Sequence, residues 1–134
     1  MYLLDTNIVS ELARKNPNKS VIEFILSLEK IIISVITVEE IEFGIQRVKN
    51  KTQKEFLLNW WLEFFQLEPD VILLDLKIAK LSSEFRASSE AKGKIMQQAD
   101  SIIAATAKLS NLILVTRNTK DFSNLGIKLL NPFS

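Results

Sequence analysis

Residues 1–7 read Met-Tyr-Leu-Leu-Asp-Thr-Asn (MYLLDTN). Three side chains that suit a core, Tyr2 to Leu4, give way without a turn to an acid, a hydroxyl and an amide. A short apolar run is how a buried strand reads. Asp is a good helix starter, because its carboxylate accepts from the unpaired N–H groups of the first turn. The stretch predicts a strand over 2–4 that passes directly into a helix over 6 to about 14, with Ile8, Leu12 and Val9 facing inward. Capping is one use for Asp5. Its place suggests another, since a strand that feeds a helix directly leaves Asp5 at the carboxyl end of a sheet, where the active groups of open α/β proteins gather.

The same alternation continues along the chain. Asn16-Pro17-Asn18 breaks the first helix, and a second is expected from about Ser20 to Leu28. Ile31 to Val35 is a β-branched run and reads as a buried strand. Thr37, with Glu40 three residues on, has the spacing of a capping box for the next helix. A long helix follows over about Thr52 to Leu67. Val71 to Leu74 reads as a strand, and Asp75 caps a helix that reaches about Ser89. After a loop over Glu90 to Lys94, a helix spans about Gln97 to Ser110. Leu112 to Val115 and Ile127 to Leu130 are the last strands. Strands alternating with helices imply an α/β/α sandwich of three layers, with a mostly parallel central sheet of four to five strands. No repeat, low-complexity tract or linker interrupts the pattern, so residues 1–134 are expected to form a single domain.

Composition limits the chemistry. The 134 residues include no Cys and no His. Disulfides, thiol nucleophiles, thiolate or imidazole zinc sites, a Ser-His-Asp triad and a His general base are all excluded. Carboxylates, hydroxyls, amides, Lys and Arg remain, and clustered carboxylate oxygens suit hard cations such as Mg2+ or Mn2+. A net charge of +1 does not describe a broadly basic nucleic-acid binder, although a local basic rim is compatible with it. No apolar run approaches the roughly 20 residues of a membrane span. Asp5 and Glu11 interrupt any signal-peptide core near the start. A cytoplasmic protein without a membrane partner is the expectation.

Three further acids stand near expected strand ends. On the helix after the second strand, Val38, Ile41, Ile45 and Val48 mark the core stripe. At about 100° per residue, Glu40 flanks that stripe while Glu39 turns toward solvent. Glu40 shares its side with Thr37, Gly44 and Arg47. Gly44 leaves space beside the carboxylate, at a cost to the helix of roughly 1 kcal/mol against Ala. Two uses are open for Glu40, the capping box and a site, and they compete for one carboxylate. In QQADSIIAATAKL, Asp100 shares a face with Ile103, Ala104 and Ala107. A charge on that inner face must be paired or bind a cation. In TRNTKDF, Thr116, Asn118 and Asp121 can face the same edge, though Asn118 also suits a turn and Asp121 a cap. Asp75 reads as a cap alone. Two charges at 4 Å repel by about 4 kcal/mol at an effective dielectric of 20, so converging acids call for a divalent cation or for protonation.

The stretches LLDTNIVSEL, ISVITVEEIEFGI, QQADSIIAATAKL and LVTRNTKDF, in this order and spacing, resemble the PIN-domain ribonucleases, and among them the bacterial toxins of the VapC and FitB type. The resemblance runs nearly end to end. It implies that Asp5, Glu40 and Asp100 are the three most dependable acids of the site and that Glu40, not Glu39, takes the family position. Relatives often carry Asp where this chain has Asn118, and others place an acid at Asp121. The resemblance therefore implies Asp5, Glu40, Asp100 and Asp121 as catalytic acids, with Asn118 joining Asp5, Glu40 and Asp100 as a metal ligand through its amide oxygen. Asn7 and Thr116 become supporting polar groups. The implied activity is endonucleolytic RNA cleavage with Mg2+ or Mn2+, by a metal-activated water that leaves a 5′-phosphate and a 3′-hydroxyl.

An acidic site needs cations to admit RNA, and Arg47, Arg86, Lys92, Lys94, Arg117 and Lys120 are candidates for phosphate contacts. FLLNWWLEFFQL places Phe56, Trp60 and Phe64 on one face and Leu57, Trp61 and Phe65 on the next, a stripe wide enough to serve either a broad core contact or another chain. The resemblance implies a homodimer and a cognate antitoxin of the VapB type seated in a groove near the site. Alternative readings are a catalytically inactive PIN scaffold that binds RNA or protein, a PIN enzyme with another nucleic-acid target, and a phosphoacceptor receiver domain. The last lacks the paired acids it would want after the first strand.

Overall fold

The computed structural model describes residues 1–134. In chain order it holds β1 (Tyr2–Leu4), α1 (Thr6–Glu11), α2 (Lys19–Leu26), β2 (Ile32–Ser34), α3 (Val35–Gln46), α4 (Lys51–Gln66), β3 (Asp70–Ile72), α5 (Leu76–Ala91), α6 (Gln98–Leu109), β4 (Ile113–Val115), a 3-10 turn (Thr119–Phe122) and β5 (Leu129–Leu130). All paired strands are parallel. The ladders run β1-β4-β5 and β2-β3, and β2 lies beside β1, so the strands follow the order β3-β2-β1-β4-β5. The expected α/β sandwich with five strands is present. Its sheet is joined at β1 and β2 by side-by-side packing rather than by a ladder.

Successive residues of a strand point to opposite faces, and here each face has its own core. Leu3, Ile32 and Leu114 pack with Ile78 and Phe85 of α5 and with Ile102, Ile103 and Ala104 of α6. Leu4, Ile33 and Val115 pack with α1 to α4 through Ile8, Val9, Val21, Ile25, Ile41, Ile45, Trp61 and Phe64. The register sets Leu3 opposite Leu114 and Leu4 opposite Val115, so the two cores stay separate along the sheet. The small side chains Ala104, Ala105 and Ala107 are fully buried, which brings α6 close to the sheet. No helix is long and apolar enough to cross a membrane.

Several element bounds differ from the sequence reading. The expected helix to Arg14 ends at Glu11, and the strand expected to reach Val35 stops at Ser34. α3 therefore starts early: Ser34 is its cap and accepts from the Ile36 N–H at 3.1 Å. The capping box of Thr37 and Glu40 does not form, because Thr37 already lies inside the helix and is fully buried. The core side of α3 is Thr37, Ile41 and Ile45, with Val38 half-buried beside them and Val48 beyond the helix end. In α4 only Trp61 and Phe64 are buried, whereas Phe56, Leu58, Leu62 and Phe65 are exposed. Leu73 and Leu74, expected in a strand, lie exposed after β3.

Candidate active site

Asp5 is held at the end of β1 by the sheet itself. Its N–H donates to the Val115 carbonyl at 2.9 Å, which extends the β1–β4 pairing by one residue. The extended backbone of Asp5 then turns into α1. One carboxylate oxygen accepts from the Thr6 N–H at 2.7 Å and the other from the Thr116 hydroxyl at 2.8 Å. Thr116 follows β4 directly, is fully buried and also accepts from the Asn118 N–H at 3.1 Å. Asn7 closes the same corner, donating to Thr116 Oγ1 at 3.4 Å and accepting from the Arg117 N–H at 3.3 Å. The β1 and β4 ends are thus stitched together around a carboxylate that is only 5% exposed.

Glu40 comes from α3. The Thr6 hydroxyl donates to its Oε1 at 2.6 Å and lies 2.9 Å from the Thr37 hydroxyl. The residue pair expected to cap a helix instead shares a hydroxyl that ties α3 to the start of α1. Asp100 comes from the first turn of α6, where the helix dipole favours an anion. Asp121 stands in the 3-10 turn behind Asn118.

Asp5, Glu40, Asp100, Asp121, Asn118 and Asn7 all line one cavity of about 430 Å³, together with Thr6, Ser10, Glu11, Arg14 and Phe122. Of the residues named from the sequence, the four acids and both amides therefore meet, and Thr116 supports them from beneath. The six basic candidates do not line this cavity. Arg47 lies over the Phe43 ring at 5.3 Å, and Arg117 over the Phe133 ring at 4.6 Å. Lys94 Nζ donates to the Lys120 carbonyl at 2.9 Å. Lys92 and Lys94 line a smaller cavity of about 170 Å³ that has Asp121 as a shared wall. Arg86 and Lys120 are exposed.

Thr6, Ser10, Glu11 and Arg14 were missed in the sequence. Glu11 is as buried as Asp5, which an acid placed among Ile8, Val9 and Leu12 does not announce. The available signal was spacing, since Glu11 lies one helical turn after Asn7 and shares its side. A larger groove of about 1220 Å³ adjoins the cavity and shares Thr6, Ser10, Arg14 and Glu40 with it. Its far wall is α4, with Phe56, Leu57 and Trp60.

The acids act on one another. Burial raises the Asp5 carboxyl above its usual range; Thr116 and Thr6 hold it down in part, while Glu40 and Asp121 push it further up. Asp100 is pushed up to about 6, first by burial and then by the charges of Asp5, Glu40 and Asp121. A concentration of negative charge that resists its own ionisation, built from oxygen donors, fits a hard divalent cation in kind. No three of the acids close into a group that would hold an ion as they stand. Glu40 Oε1 and both Asp5 oxygens each accept one hydrogen bond, which orients the carboxylates and leaves a lone pair on each oxygen for ligation.

The PIN-domain family model matches residues 2–128. The chain belongs to the PIN-domain family. Among its PIN relatives is the toxin FitB of Neisseria gonorrhoeae, 33% identical, with 99% of each chain covered. A VapC ribonuclease of Sinorhizobium fredii is 29% identical over 99% of this chain and 98% of its own. The crystal structure of FitAcB from Neisseria gonorrhoeae superposes with a TM-score of 0.86 at 34% identity, covering 98% of both chains. This PIN domain therefore matches relatives of the VapC and FitB type over nearly their whole length.

Proposed function

We propose that this protein is the toxin of a type II toxin–antitoxin module and acts as a divalent-metal-dependent endoribonuclease. The single observation that carries the reading is the convergence of Asp5, Glu40, Asp100 and Asp121 with Asn118 in one cavity at the carboxyl ends of β1, β2 and β4. Asp5, Glu40, Asp100 and Asn118 would hold Mg2+ or Mn2+. When bound, such an ion supplies a water of lowered pKa and polarises a phosphoryl oxygen. The protein's own part is placement. Thr116 and Thr6 fix the Asp5 carboxylate, Thr6 sets Glu40, and Asp121, exposed on the cavity wall, is free to orient the attacking water. The products would carry a 5′-phosphate and a 3′-hydroxyl.

The toxin name of the FitB relative supports a cognate VapB-type antitoxin as partner. A cytoplasmic setting and a homodimer of the single domain of residues 1–134 belong to the same proposal. The second reading, an inactive PIN scaffold, draws on Asn118 in place of an acid and on the open arrangement of the carboxylates. Cleavage of total RNA and of a labelled single-stranded oligonucleotide separates the two. Metal-stripped protein is assayed with Mg2+ or Mn2+ restored, beside Asp5→Asn and Asp100→Asn. Metal-dependent cutting lost in both variants is expected. Cutting that persists in EDTA or in the variants would sink the mechanism.

A further inference from the structure

The wall of the acidic cavity carries one cation, Arg14, which stands outside all six basic positions that flank the acid motifs. Arg14 lies just past α1, and its side chain is 63% exposed. Beneath it, Glu11 is fastened at both oxygens. Glu11 Oε1 accepts from Arg14 Nη1 at 3.4 Å, and Oε2 accepts from the Asn18 N–H at 2.8 Å, where α2 begins. A guanidinium has five donors, so one long bond to Glu11 orients it and leaves the remainder for an anion. Arg14 also lines the adjoining groove, next to Lys15. It therefore stands at the junction of cavity and groove, with Thr6, Ser10 and Glu40. A polyanion entering beside five carboxylates needs a cation at that crossing, and the planar fork of Arg suits a phosphate.

We propose that Arg14 binds a backbone phosphate of the RNA at the junction of the acidic cavity and the groove between α1, α3 and α4. The choice of RNA rests on the nuclease reading above; the binding itself is tested without catalysis. In an Asp100→Asn background in EDTA, a fluorescein-labelled single-stranded RNA is titrated by anisotropy at several salt concentrations. Adding Arg14→Ala is expected to weaken binding about tenfold, as for loss of one charge-assisted contact. The slope of log K against log salt should shrink by about 0.7, the share of one phosphate on a single strand. Arg14→Lys should keep the slope, because the charge remains. Thermal melting of each variant should stay within about 2 °C of its parent, as for an exposed side chain. Unchanged affinity and slope in folded Arg14→Ala would overturn the proposal. So would RNA binding unaffected by Arg14→Ala alongside weakened binding of the antitoxin, which would assign the guanidinium to a protein partner. A slope that depends on Arg14 in a chain that never cuts RNA would uphold this contact and remove the nuclease reading instead.

Discussion

Asp5 and Asp75 are the same residue in the same role: each caps the helix that follows a short parallel strand, Asp5 directly after β1 and Asp75 three residues after β3. Asp75 stays a cap. It is exposed, and its Oδ1 accepts from the Ile78 N–H at 2.8 Å. Asp5 is buried, tied to Thr116 across the sheet and surrounded by the charges of Glu40, Asp100 and Asp121. The difference lies in the strands. β3 is an edge strand paired only with β2, so nothing closes over its end. β1 is paired with β4 on one side and packed against β2 on the other, at the point where connections leave in opposite directions. A carboxylate becomes a site through the neighbours its strand provides, while the capping role is common to both.

This contrast gives the widest gap in activity. Asp5→Asn and Asp100→Asn should each lower RNA cleavage about a thousandfold, roughly 4 kcal/mol of transition-state stabilisation, whereas Asp75→Asn should stay within about twofold in the same assay. Thr6→Val keeps the shape and removes the hydroxyl that sets Glu40. It should lower cleavage about tenfold, or roughly 1.4 kcal/mol, and a rate equal to wild type would show that Glu40 needs no such support. In urea unfolding the roles invert. Asp75→Ala should cost about 1 kcal/mol as a lost cap. Asp5→Asn in metal-free protein at neutral pH should be neutral or stabilising, because it removes a buried charge whose ionisation the fold resists.

Stability also depends on pH. Asp100 has a folded pKa of about 6, above its ordinary value of 3.8. The folded state therefore holds this proton more tightly than the unfolded one, and stability falls as pH rises from about 4 through 6. Melting of metal-free protein should show Asp100→Asn gaining on wild type across that window, with added Mg2+ or Mn2+ closing the difference at pH 7. A constant gap between the two proteins would contradict the shift.

The alternation of strands and helices was legible because the strands lie in apolar runs, which end at a cap or turn residue as Tyr2 to Leu4 does before Asp5, although β3 stops short of Leu73 and Leu74. Asp100 was legible because an acid beside Ile103, Ala104 and Ala107 has no other outlet. The start of α3 was not, since Ser34 and Thr37 are both good caps and only the packing of Thr37 against Thr6 decides between them. The buried half of α4 was equally hidden: Trp61 and Phe64 pack inward while Phe65 does not, a rotation of the helix that its uniformly aromatic face leaves open. None of the six basic candidates lines the acidic cavity, because sequence proximity to an acid motif differs from proximity to the acid. Arg117 adjoins Asn118 in the chain yet covers Phe133.

The hydrogen bond from Thr116 to Asp5 joins residues 111 positions apart. Chains are made from the amino end at about 5–20 residues per second, and β1 emerges first. Its acid then waits several seconds for the strand, the hydroxyl and the turn that complete the pocket. Closing that span requires β1 and β4 to pair first, so the pocket depends on the whole sheet being in place, as a local cap such as Asp75 does not.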